Sequence, residues 1–234
     1  MKKIKRAGVG LILLPVCYGA SLALWAILHP FKNVPEGSFY FFVGIGSYFL
    51  FQWAFFRPIR TYVFGHELTH AVAAWLSGGK VRHFHVGKKG GSVSVTRSNF
   101  FVALSPYVVP LYALALLLLF FAVNYFYSLR AAWWPWFLWL LGASIGFHMA
   151  LTGYALKQNQ PDLRATGGFL SAVIIYLGNV LSIVFVLGVL FPRTVSWEAF
   201  ARLSARQTYS ALRRLGESGY WVYHGTVYGS FHRN

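Results

Sequence analysis

Five apolar runs set the limits on what this chain can fold into. They occupy residues 7–29, 38–56, 100–127, 131–153 and 166–191. Each supplies about the 20 residues that a helix needs to cross the hydrocarbon core of a bilayer. Backbone in hydrocarbon has no water to bond, so runs of this kind satisfy their own amides as helices. Only 11% of the 234 residues are charged and the mean hydropathy is +0.53, against roughly a quarter charged in an average soluble domain. Little sequence is left for a sizeable soluble domain. Aromatic residues crowd the ends of the runs, as at Phe39, Tyr40, Phe41, Tyr125, Phe126, Tyr127, Trp133, Trp134 and Trp136, the pattern of interfacial belts. The expectation is an all-α polytopic, multi-pass membrane protein.

The formal net charge of +16 does not point to nucleic acid. Lys and Arg lie in the short loops and tails between apolar runs, where they anchor helix ends and attract anionic headgroups. No DNA- or RNA-binding pattern accompanies them, so the expected partner is the lipid bilayer and not nucleic acid. Cys17 is the single cysteine, which excludes an intrachain disulfide. The start, MKKIKR before an apolar run, resembles a signal peptide. The run exceeds an ordinary h-region and no clear small-x-small site follows it, so a retained first membrane helix is expected.

Against this background carboxylates are scarce: Glu36, Glu67, Asp162, Glu198 and Glu217. Glu67 alone lies in a strongly apolar stretch, TYVFGHELTHAVAAWL, inside His66-Glu67-Leu68-Thr69-His70. On a helix the two histidines stand one turn apart on one face, so both imidazoles reach a single metal ion. The same pattern occurs by chance in soluble helices as a solvated stripe. In an apolar helix, however, two imidazoles and a carboxylate are costly unless something pairs with them, and a divalent cation does so. Two nitrogen ligands beside a carboxylate that takes a proton from attacking water form the set required by a zinc hydrolase.

Punctuation along the chain places this motif. Pro30 stops the first helix, and Arg57-Pro58-Ile59-Arg60 interrupts the second run. A helix over about 60–77, the sixth candidate membrane helix, ends at Gly78-Gly79 as a C-cap. Five to six membrane helices are thus expected. Residues 80–98 alternate apolar and polar positions around GKKGG, which predicts a small β-hairpin beside the membrane. Pro106 and Pro110 predict a kink or break in the run 100–127, with Ser105 placed to satisfy a freed backbone group. Gly142, Gly146 and Gly153 predict close helix packing. Asn179 is the one strongly polar side chain of the last run. Residues 1–192 read as a membrane-embedded domain and 193–234 as a basic aromatic tail, containing a candidate interfacial amphipathic helix.

A catalytic zinc ion keeps three protein ligands and one open position. The third ligand has four candidates: Asp162, His148, His83 and His85. Asp162 is the only aspartate and lies in a bendable loop, GYALKQNQPDLRATGG; the rival reading is a helix N-terminal acid or a partner for Arg164. His148 lies in an apolar run, where a satisfied core histidine, or a group behind the ligands or at the substrate, is the rival. His83 and His85 share one strand face and read equally as exposed strand residues. The positive-inside rule splits Lys and Arg identically whether or not the HELTH helix crosses. Metal geometry favours the arrangement in which it does not cross fully, because the histidines and Asp162 then share one membrane face.

These residues carry a resemblance. HELTH in a membrane helix, then Gly78-Gly79, a β-hairpin, further spans and a late NQPD before a glycine-rich helix start is similar to the site-2-protease family of intramembrane zinc metalloproteases. The resemblance covers a core of about residues 55–190. It implies one zinc ion held by His66, His70 and Asp162, with Glu67 as general base and Asn159 of the late motif at the substrate. It also implies a membrane-protein substrate, received as an added strand by the hairpin, and a bacterial-type cell membrane is the expected location. Two other classes remain open: a non-catalytic membrane scaffold or regulator that retains the protease fold, for which an intact Glu67 has no use, and an ion transporter, disfavoured by the lack of an internal repeat.

Overall fold

The computed structural model describes residues 2–29, 37–87, 90–128, 131–158 and 160–231. The chain forms two compact units, one of residues 33–182 and one of residues 1–32 with 183–234. The first contains α2 (Ser38–Ala54), α3 (Ile59–Leu76), β1 (Val81–Gly87), β2 (Gly90–Val95), α4 (Phe100–Val108), α5 (Leu111–Tyr127), α6 (Trp134–Lys157), α7 (Pro161–Thr166) and the start of α8 (Gly168–Leu190). The second contains α1 (Lys2–Leu28), the end of α8 and α9 (Trp197–Phe231).

Among the described residues, three helices are long and apolar enough to cross a membrane: Ile4–Leu28, Ala131–Lys157 and Gly168–Leu190. A fourth crossing results if α4 and α5, bent by 72° at their junction, count as one broken span. This is fewer than the five to six expected from the apolar runs. Helix α2 has 17 residues, short of the ~20 that a crossing takes, and the run 100–127 is interrupted at Val109-Pro110. The helical, membrane-type character of the chain and its small hairpin stand. Large apolar side chains such as Trp25, Trp53, Leu118 and Leu119 lie exposed, as lipid-facing positions require.

In the unit of residues 33–182, α2 lies directly on α6. A Cβ at Gly142 would collide with the Phe41 carbonyl, and one at Gly44 with the Trp139 carbonyl. At Gly146 it would stand 2.9 Å from the Ile45 carbonyl oxygen. Small residues let the two backbones approach, which is how helices associate where lipid is as apolar as leucine. Gly153 has nothing near it, so it does not belong to this seam as the sequence predicted.

The chain turns between α4 and α5 at Val109-Pro110, where Pro110 cannot continue the helix, and a second proline frees a carbonyl inside α4. Pro106 lacks an N–H and leaves the Val102 carbonyl without its helical partner. Ser105 Oγ donates to that carbonyl at 3.1 Å, the role foreseen for it, and His70 Nδ1 reaches it at 2.8 Å. At the end of α4 the Tyr107 carbonyl accepts from Asn179 Nδ2 at 2.7 Å and the Val108 carbonyl from Ser182 Oγ at 2.9 Å. The polar side chains of α8 thus satisfy a helix terminus that would otherwise be unpaired in an apolar setting.

The hairpin pairs β1 antiparallel to β2, with His83 opposite Ser94, Phe84 opposite Val93 and Val86 opposite Gly91, and an irregularity between Val81 and His83. In the other unit, Gly19 lets α1 and α9 approach, since a Cβ there would collide with Thr208. Helix α9 also carries the i,i+4 ion pairs Glu198–Arg202 (3.3 Å) and Arg213–Glu217 (2.8 Å).

The α2–α6 seam makes a direct prediction. Gly142→Leu should destabilise the protein by about 1–3 kcal/mol or more through overpacking. Gly153→Ala should leave stability unchanged or raise it by up to ~1 kcal/mol, alanine being the better helix former. Thermal unfolding of the detergent-purified variants checks both.

Candidate metal centre

Helix α3 presents its motif inward: His66, Glu67 and His70 are all buried. Its C-terminus is closed by the Schellman pattern. The Gly79 N–H donates to the Ala74 carbonyl (2.8 Å), the Gly78 N–H donates to the Trp75 carbonyl (2.9 Å), and Gly78 takes a φ of +71° that glycine adopts without strain. The chain then turns directly into the hairpin. Strand β2 lies on the same face of α3, and Gly91 makes this possible: a Cβ there would stand 2.6 Å from Val63 Cγ1 and 2.7 Å from Glu67 Cγ. The Val93 backbone N–H donates to the Glu67 carboxylate.

Asp162 arrives from α7, whose first turn begins at Pro161, a favoured helix start. Its carboxylate faces both histidines, with Oδ2 at 3.3 Å from His70 Nε2 and 3.8 Å from His66 Nε2. One ligand atom from each of the three residues falls within 4.8 Å of the others. The third partner of Oδ2 is the Tyr107 hydroxyl at 3.4 Å.

The hydrogen bond behind His70 determines its tautomer. The Val102 carbonyl only accepts, so His70 carries a proton on Nδ1 and a neutral ring turns its bare Nε2 towards Asp162. Two acceptors 3.3 Å apart repel unless a cation lies between them, and either a second ring proton or a metal ion meets that need. His66 Nδ1 is held by the Tyr62 hydroxyl at 3.2 Å, which leaves its Nε2 on the same side. Ligand atoms ~2.0–2.2 Å from a tetrahedral ion stand roughly 3.3–3.6 Å from one another. The His70–Asp162 separation lies in that range and His66–Asp162 slightly above it, so the donor set fits a zinc ion. Burial alone would push the Asp162 carboxyl up. When the imidazoles are protonated on Nε2, their contacts with the carboxylate and their positive charge outweigh burial and hold it well below the usual carboxylate range.

The three residues and Glu67 line one cavity of about 500 Å³, lined also by Tyr62, Val102 and β2 from Gly90 to Val93. The remaining candidates fall elsewhere. His148 Nε2 contacts Asn179 Oδ1 at 3.1 Å. That amide donates to the Tyr107 and Ile175 carbonyls, so its oxygen must face His148 and the ring must carry a proton on Nε2. This nitrogen is therefore unavailable as a ligand. His83 and His85 are exposed, with rings stacked 6.4 Å apart, and join no group of three ligands among the described residues. Asn159 lies outside the described residues. Tyr62, Tyr107 and the Val102 carbonyl were not anticipated. Tyr62 stands four residues before His66 on the same helix face and was accessible to that argument. Tyr107 and Val102 reach the site only through the packing of α4 on α3.

If the three residues hold an ion, the purified protein should bind one Zn²⁺ per chain. His66→Ala and His70→Ala should abolish tight binding, and Asp162→Asn should weaken it. The double variant His83→Ala/His85→Ala should retain the single ion. Elemental analysis after dialysis against a weak chelator measures all four. Comparison with family models, curated proteins and solved structures found no match to this chain.

Proposed function

We propose that this chain is an intramembrane zinc metallopeptidase that hydrolyses peptide bonds of membrane-spanning substrates, as a multi-pass protein of a bacterial-type cell membrane. The observation that carries the reading is the convergence of His66, His70 and Asp162, from two separate elements, with Glu67 on the wall of the same cavity. A structural metal site has no use for a fourth, basic side chain beside the ligands. A bound zinc ion would polarise the scissile carbonyl and lower the pKa of its water towards ~7.

The protein groups then have separable tasks. Glu67 takes a proton from the attacking water at a carboxylate oxygen. The water oxygen bonds to the carbonyl carbon, the C–N bond breaks, and Glu67 returns the proton to the leaving nitrogen. The Val102 carbonyl keeps His70 in the tautomer that leaves Nε2 free, and the Tyr62 hydroxyl, by accepting from His66 Nδ1, does the same for His66 when the ion is bound. The cavity of about 500 Å³ admits a short stretch of unwound peptide and the water that hydrolysis consumes.

Glu67→Gln preserves size and hydrogen bonding but not basicity. It should retain one zinc per chain and lose hydrolysis by a factor of ~10² or more. Cleavage of a membrane-spanning reporter peptide in proteoliposomes gives the rate. Full activity of this variant would reject the proposed chemistry.

A further inference from the structure

We propose that Asn179 and His148 are positioning residues that set metal affinity from outside the site, by clamping the end of α4 so that the Tyr107 hydroxyl stays on Asp162. The inference rests on the metal reading above and assigns a role to two polar side chains of α6 and α8 that the site itself leaves unused.

The connection runs through contacts of hydrogen-bond length. Helix α8 approaches the end of α4 at Gly178, where a Cβ would stand 2.5 Å from Val108 Cγ1. This brings Asn179 within 2.7 Å of the Tyr107 carbonyl and 2.8 Å of the Ile175 carbonyl. With both amide hydrogens committed, Asn179 Oδ1 turns to His148, whose Nε2–H lies 3.1 Å away. His148 therefore prevents the amide from flipping, and the amide holds the Tyr107 backbone. The Tyr107 ring is fully buried among Leu104, Ala155 and Ile175, with Tyr62 and Leu163 against them, and stacks edge-on to His66 at 5.1 Å. Its hydroxyl projects from this packing to Asp162 Oδ2, the oxygen that faces both histidines.

Polar side chains within membrane spans are expensive, and a structural clamp on an ordinary helix end would not need three of them in sequence. Hydrogen-bond partners behind metal ligands commonly change affinity by about 10–100-fold when removed. Here the partner of the ligand is itself held in register by the pair behind it.

The test measures Zn²⁺ affinity by competition with a chromophoric chelator, on the full-length protein in detergent, with thermal unfolding of the metal-free form alongside. Tyr107→Phe removes only the hydroxyl and keeps the ring packing. It should weaken Zn²⁺ binding about 10-fold or more, with unchanged metal-free unfolding. His148→Leu removes the donor to Asn179 and should weaken binding in the same direction. His148→Gln, whose amide nitrogen can donate in place of Nε2, should restore most of the affinity. Asn179→Ala should match His148→Leu; if it fails to fold, the other three variants decide. Wild-type affinity in Tyr107→Phe, or in His148→Leu, would overturn this inference and leave the metal centre intact. Equal losses in His148→Leu and His148→Gln would also overturn it, since bulk and not the donor would then matter. No zinc binding by the wild type would overturn the metallopeptidase reading itself.

Discussion

The unpaired carbonyl of Val102 organises the centre of this protein. Pro106 removes the N–H that would have met it, and an acceptor left bare in an apolar setting is costly. The structure resolves this by drawing in two donors, Ser105 from the same turn and His70 from α3. Satisfying the carbonyl also fixes the His70 tautomer, so a helical defect and the preparation of a nitrogen lone pair are one event. The same bond from His70 ties α3 to α4.

The same logic recurs at the other end of α4. Its final carbonyls meet Asn179 and Ser182, and α8 can come near enough only because Gly178 has no side chain. Ser105, Asn179 and Ser182 therefore share one purpose. Each meets a carbonyl freed within or at the end of α4, next to the candidate ligands. A broken helix beside a cavity is tolerated in membranes because protein, not lipid, surrounds the break.

Much of this was legible in the sequence, for identifiable reasons. The HELTH motif, its glycine cap and the hairpin are local features, governed by helical spacing, positive-φ preference and strand alternation. Asp162 could be singled out because the chain has no other aspartate. The count of membrane helices was not legible, because run length alone does not reveal that α2 stops at 17 residues or that Val109-Pro110 turns the chain by 72°. Nor was the role of His148: its spacing matches any buried histidine, and only the orientation of the Asn179 amide across α6 and α8 excludes Nε2 as a ligand atom. Gly153 shows the converse error. Periodic glycines imply a seam, but a helix turns away from its neighbour along its length.

Gly91 has a consequence for what the cavity can discriminate. Because a glycine of β2 lies against Glu67, the wall next to this carboxylate at Gly91 is main chain. A bare backbone wall presents amides and carbonyls, which every peptide matches equally well. If the proposed peptidase reading holds, choice among sequences at that point would be weak and accessibility would take its place: a segment would be selected by whether its own helix can be unwound far enough to lie beside the strand. Residues with poor helix propensity, not residues of a given size or charge, would mark the chains that this centre admits.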